Sequence, residues 1–140
     1  MINNKPINAD QTMAVAASAM KAQQARMRII AENIANADST AKTKGGDPYR
    51  RQTPVFTSAT IDGATGVRLA EVAPDTTPFT LEYDPSHPAA DANGYVKKAN
   101  VDPLIETMDM REAQRAYEAN LNVIETSRAM TQKTLDILNK

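Results

Sequence analysis

Cysteine is absent from this chain of 140 residues. That removes disulfides, thiolate catalysis and thiolate metal sites together. It suits an oxidising compartment, where a stray thiol risks a wrong bridge. No apolar run approaches the ~20 residues that span a bilayer. Met13–Met20 comes nearest to the apolar core of a signal, but it is short and alanine-rich, and no basic segment precedes it. The reading is therefore of a chain without a cleaved secretory signal. Charge of one sign is also missing: 16 basic against 17 acidic residues leave a net charge of −1. That argues against a nucleic-acid binder running on phosphate neutralisation.

Glycine and proline are missing from the ends. All five glycines and seven of the eight prolines fall outside two terminal stretches, roughly Asn8–Ala37 and Asp102–Leu138. Both stretches are helix-permissive. Asn8 with Gln11 forms a capping-box variant at the first start. Asp102 caps the second, Pro103 takes the first helical position, and Glu106 favours the positive end of the dipole. The first stretch should fade at Asn36–Thr40, whose residues suit turns and caps.

Met13, Met20, Met27 and Ile34 recur every seven residues, with Ala16, Ala17, Ile30 and Ala31 between them, which is a heptad-like seam. The second stretch is broader. Tyr117, Ile124 and Leu138 form one row, and Ala116, Val123, Met130 and Ile137 another. Leu121 and Leu135 make a third, with Asn120, Ser127 and Thr134 dotted among them. So wide an apolar surface is usually touched from more than one side. With one other helix in the chain, the rest is expected to be covered by other chains. The ends also differ in charge: residues 1–36 carry +2 and residues 102–140 carry −2, which favours their lying side by side.

The expected fold is mainly α with a small β or irregular middle. The terminal helices, in residues 1–40 and 102–140, should form an antiparallel, coiled-coil-like hairpin around residues 41–101. Arg51–Thr57, Gly66–Val72 and Phe79–Tyr83 read as strands. Five of the six aromatics lie in this middle, which has too little apolar mass to stand alone.

Little here suggests chemistry. His87 is the only histidine, beside Ser86 and near Asp84, but a proline-bracketed turn rarely lets adjacent residues converge as a triad. No histidine–carboxylate cluster has metal spacing. Lys42, Lys44, Arg50 and Arg51 surround Tyr49 as a solvated or salt-bridging surface. Gly45-Gly46 lacks the spacing of a phosphate loop. No catalytic residue, cofactor or metal is expected.

Ala31-Glu32-Asn33-Ile34-Ala35-Asn36-Ala37-Asp38-Ser39-Thr40 resembles the N-terminal motif of the bacterial flagellar axial proteins, the rod and hook family. Asp47–Phe56, Tyr83–Val96 and Asn100-Val101-Asp102 resemble its proximal-rod members, and Arg115–Asn120 is similar to the family's C-terminal helix. The similarity runs through nearly the whole chain in order. It implies a structural subunit of the proximal rod, the part of the drive shaft that crosses the periplasm. Such a subunit would assemble helically through its terminal helices as an inner tube, with the middle as an outer layer, and would carry torque. Export would use the flagellar type III apparatus. Copies of itself, other rod proteins, and ring and export-gate components at the rod base are the implied partners. No nucleic acid is implied, and no span of the membrane. The residues expected at subunit interfaces are Met13, Met20, Met27, Ile30, Asn33, Ile34, Asn36, Tyr117, Asn120, Val123, Ile124, Met130 and Leu138. A sibling axial protein, or a helical-hairpin binding module or secretion adaptor, are the competing readings.

Overall fold

The computed structural model describes residues 5–140. Helix α1 spans Ala9–Ala35. Alanine, the best helix former, fills much of it. The Asn8 side chain accepts the Gln11 N–H at 2.8 Å, and the Gln11 side chain accepts the Asn8 N–H at 3.1 Å, so two orphan donors are satisfied reciprocally. The helix stops two residues short of the expected Ala37, where the Asn36 side chain turns back to donate to the Glu32 carbonyl at 2.8 Å. Helix α2 spans Pro103–Leu138. Asp102 caps it by accepting the Leu104 N–H at 3.0 Å.

Arg26 of α1 lies near Asp109 and Glu112, while Thr12, Val15 and Ala16 lie beside Asn120 and Val123. The helices are therefore adjacent and antiparallel. The opposite charges of the two ends meet in the Arg26 pairs, at 3.5 Å to Glu112 and 3.9 Å to Asp109.

The middle holds two separate antiparallel ribbons. Strands β1 (Gln52–Ile61) and β2 (Ala64–Pro74) are joined by Asp62-Gly63, both in the left-handed region (φ 48° and 81°). A two-residue turn of this hand matches strand twist, and glycine adopts it without strain. A bulge shifts the register between Val55 and Phe56. Strands β3 (Thr80–Tyr83) and β4 (Tyr95–Lys98) form the second ribbon, with Tyr83 and Tyr95 edge-to-face at 5.3 Å. Val96, Ala89 and Ala90 make a small core beneath it, joined by Ala41.

A lone two-stranded ribbon is marginal in water. The β1–β2 ribbon is supported because it lies along α1. Ser18 Oγ accepts the Val67 N–H at 3.3 Å, and small residues of α1 (Ser18, Ala22, Ala25) face Ile61, Val67 and Leu69. A side chain at Gly66 would come within 2.6 Å of Ile61 Cγ1 and 2.7 Å of Ser18 Oγ, so the approach needs glycine there. At one end Gln11 Nε2 donates to the Asp62 carbonyl at 2.8 Å. At the other, Asn33 holds Gln52 by both its N–H (2.9 Å) and its C=O (2.8 Å).

This placement changes the expected seam. The buried residues of α1 are Ala16, Ala22, Ile29, Ile30 and Asn33. Met13, Met20 and Met27 are half-buried, and Ile34 is exposed. With α2 on one flank and the ribbon on another, the buried surface spreads wider than a heptad stripe. The strands differ as well: β1 and β2 are longer than expected and form one hairpin, and β4 was not foreseen.

Candidate assembly surface

Two features bear on function: a junction that fixes the middle to the helices, and a helix face that the chain does not cover. The junction centres on Arg51. Its Nε donates to Glu106 Oε1, its Nη1 lies 3.2 Å from Asp75 Oδ2, and its Nη2 lies 3.7 Å from Asp109 Oδ2. Burial works against the guanidinium charge, but the bonds to Glu106 and Asp75 outweigh it and raise its proton affinity. The Glu106 side chain is about 1% exposed, and its Oε2 has no hydrogen-bond partner among the described residues. A carboxylate so buried is costly unless a cation stays beside it.

Two asparagines complete the junction. Asn33, 1% exposed, accepts from Tyr49 Oη at 2.7 Å as well as holding Gln52. Asn100 accepts the Arg51 N–H at 2.7 Å and donates to the carbonyls of Asp75 (3.1 Å) and Thr77 (2.9 Å). Arg50 points to the same carbonyls and stacks on Phe79, 4.1 Å from the ring centre. The basic patch of the sequence thus divides: Arg50 and Arg51 serve the fold, Lys42 and Lys44 stay exposed.

The Asp84–Pro88 turn is not wired as a triad. Ser86 Oγ donates to Asp84 Oδ1 at 2.7 Å, and His87 Nδ1 accepts the Ala89 N–H at 3.0 Å. Donation from Ser86 leads the causes that hold the Asp84 carboxyl below its usual range.

The uncovered face belongs to α2. Where α1 residue 26 lies opposite 109–112 and residue 16 opposite 120, the start of α1 at Ala9 falls opposite about Ser127. Ser127 is indeed the last half-buried residue of α2, and every residue from Arg128 to Lys140 is exposed. Met130 (65%), Ile137 (71%) and Leu138 (74%) stand in water there, beside Leu135. A second exposed group opens the helix: Leu104 (70%), Ile105 and Met108. Monomers seldom leave apolar groups this size uncovered without a use.

The interface residues expected from sequence divide accordingly. Ile30 and Asn33 are buried inside the chain, Asn33 bonded to Gln52 of β1. Tyr117, Asn120 and Ile124 are half-buried at spacings that carry them along the α1 side, and Asn120 also bonds its own Ala116 carbonyl at 2.8 Å. Asn36 is half-buried at the end of α1, its side chain engaged by Glu32. Val123, Met130, Leu138 and Ile34 are exposed. Leu104, Ile105 and Met108, an apolar group at i, i+1 and i+4 directly after the Asp102 cap, are exposed as well.

The chain is similar in sequence to known proteins. Residues 13–41 match the family described as Flagella basal body rod protein, and residues 92–137 match the one described as Flagellar basal body rod FlgEFG protein C-terminal. The flagellar basal-body rod protein FlgC of Agrobacterium fabrum is 48% identical over 126 residues, 89% of this chain and 91% of that protein. The FlgC of Salmonella typhimurium is 42% identical over 88% of this chain and 92% of its own length. The FlgC of Bacillus subtilis is 36% identical over 94% and 99%.

Proposed function

This chain belongs to the FlgC family of flagellar basal-body rod proteins, a structural rod subunit rather than an enzyme, and from that premise we propose how it builds a shaft. The antiparallel pair α1–α2 is the wall element. Its α2 face is satisfied by neighbouring subunits of the rod, which remove apolar surface from water at ~25 cal/mol per Å2. Contacts between unlike faces of successive subunits do not close on themselves and so extend as a helix. The middle segment forms the outer layer, held rigidly by the Arg51 junction, and torque passes through many such contacts in parallel. Met13, Met20, Met27, Ile34, Asn36, Tyr117, Asn120, Val123, Ile124, Met130 and Leu138 contribute to or border that packing, joined by Leu104, Ile105, Met108, Leu135 and Ile137. The place we assign is the proximal rod within the periplasm. Copies of the chain, other rod proteins, and ring and export-gate components surround it there.

The single observation carrying this reading is the exposed apolar length of α2 beyond Ser127. The test is complementation of a strain lacking the chain. The natural chain is expected to restore swimming and to be retained in purified basal bodies, whereas Met130→Asp with Ile137→Asp abolishes both. Normal swimming with the doubly charged variant would overturn the role of α2.

A further inference from the structure

The middle segment divides in two. The β1–β2 ribbon lies along α1, but neither β3 nor β4 lies against a helix or against that ribbon. They belong to a lobe of their own, residues 79–98 with 41–47. Ala41 joins Ala89, Ala90 and Val96 in its core, the Gly45 N–H donates to the Ala89 carbonyl at 3.2 Å, and Lys97 pairs with Asp47 at 2.9 Å. The loop between its strands is tied within the lobe. The Asp84 N–H donates to the Gly94 carbonyl and the Asp91 N–H to the Tyr95 carbonyl, both at 2.9 Å.

The chain passes between this lobe and the rest of the molecule four times, at 36–40, 48–51, 75–78 and 99–102. Polar bonds join these crossings to one another. The Tyr49 N–H donates to Ser39 Oγ at 3.3 Å, linking the first to the second. The Asp75 N–H donates to the Arg51 carbonyl at 2.8 Å, and Arg50 Nη1 donates to the Asp75 and Thr77 carbonyls at 2.8 and 3.1 Å, linking the second to the third. Among the described residues, Asn100 alone hydrogen-bonds the fourth crossing to the others. Its Oδ1 accepts from Arg51, and its Nδ2 donates to both Asp75 and Thr77. The Arg51 side chain does not do this work, because its partners Glu106, Asp109 and Asp75 lie outside the fourth crossing.

A packed apolar interface resists turning because its contacts must separate together. A half-buried amide can instead exchange its bonds for water locally, below the free energy of global unfolding. We infer that Asn100 is a latch that fixes the direction of the β3–β4 lobe on the helix pair. Closed, it ties the exit of β4 to the entry of β1 and the exit of β2. Open, it frees the lobe to turn as one body with its own bonds intact. The chain thereby presents its lobe in more than one direction without refolding either part.

The chain has no cysteine, so two introduced thiols carry spin labels without background. Ala92→Cys with Glu118→Cys spans the lobe and α2, whereas Thr60→Cys with Glu118→Cys lies outside the lobe; all three positions are exposed. Double electron–electron resonance on the full chain reads the spread of each distance, and amide hydrogen exchange reads the folded state of each part. With Asn100 in place both distances should be narrow. Asn100→Ala should roughly double the spread of the lobe distance, while the Thr60 distance and the exchange of the Asp84 and Asp91 amides stay unchanged. Arg50→Ala, which leaves Asn100 bonded, should widen it less. An unchanged lobe distance in Asn100→Ala would overturn the latch, and so would a lobe distance already broad with Asn100 in place. Widening of both distances, or faster exchange at Asp84 and Asp91, would reduce Asn100 to a general stabiliser and overturn its role as a latch. Equal widening by Arg50→Ala would overturn the assignment to Asn100.

Discussion

Helices α1 and α2 both carry apolar rows but differ in make-up, 27 residues with nine alanines against 36 with four, and they spend their surfaces differently. α1 is covered on two flanks, by α2 and by the β1–β2 ribbon, and five of its residues are buried. α2 touches only α1 among the helices and strands, buries only Glu106 and Ala113, and outruns its partner by about three turns. One helix organises the fold; the other leaves most of its surface exposed. Amphipathic pattern alone does not tell these apart, because both helices carry apolar rows. What separates them is where the middle segment lands.

Substitutions that act on the covered helix should cost folding, and those on the uncovered one assembly. The largest effect is expected at the junction. Arg51→Ala strands a buried carboxylate and should cost about 3 kcal/mol or more in urea unfolding. Adding Glu106→Gln should recover part of the loss, and a strictly additive pair would show that Arg51 does not serve Glu106. Next, Asn33→Ala frees the Gln52 N–H and C=O and the Tyr49 hydroxyl and should cost about 2 kcal/mol by the same measurement. Gly66→Ala should cost about 1 kcal/mol, because the ribbon must lift from α1 or Ile61 must move. The junction also carries an acid effect. Hydrogen bonds from the Thr77 hydroxyl and N–H, and then Arg51, hold the Asp75 carboxyl below its ordinary 3.8. Its contribution is complete above the unfolded value and disappears as pH falls through the lower folded one. Thermal midpoints of Asp75→Asn and the natural chain should therefore converge below about pH 3.8 and separate above it. The smallest effect on the isolated chain is expected at the α2 overhang beyond Ser127. Leu135→Ser and Ile137→Ser should shift stability by no more than about 0.5 kcal/mol, yet reduce retention in basal bodies. A large loss of stability from either would mean that the overhang is covered within the chain.

Much of this was legible in residues. Asn8 with Gln11 and Asp102 with Pro103 announced both helix starts, and the absence of glycine announced their lengths. The motif around Asn33 and the Tyr83–Val96 stretch announced the family. The patterns of Arg51–Thr57 and Gly66–Val72 show two strands without their pairing; the signal that joins them is the two-residue Asp62-Gly63 turn. β4 was missed because Tyr95-Val96-Lys97-Lys98 offers one buried apolar residue, Val96. The local pattern around Asn33 cannot show its bond to a strand 19 residues away, so it points to a subunit interface instead. Glu106 was read as a dipole partner in the first turn for the same reason: its burial comes from Arg51, 55 positions earlier.

The fastening of the ribbon at both ends of α1 makes the two elements commensurate. Gln11 to Asn33 is twenty-two residues of helix, about 33 Å at ~1.5 Å each. Gln52 to Asp62 is ten residues of strand, also about 33 Å at ~3.3 Å each. Shortening the helix between its clasps by one turn therefore demands the loss of between one and two residues from each strand. An odd deletion there would also reverse which side chains meet the helix. Insertions and deletions in these two segments are thus tolerable only as a coordinated set, and a variant that changes one ruler without the other should lose one of its two fastenings.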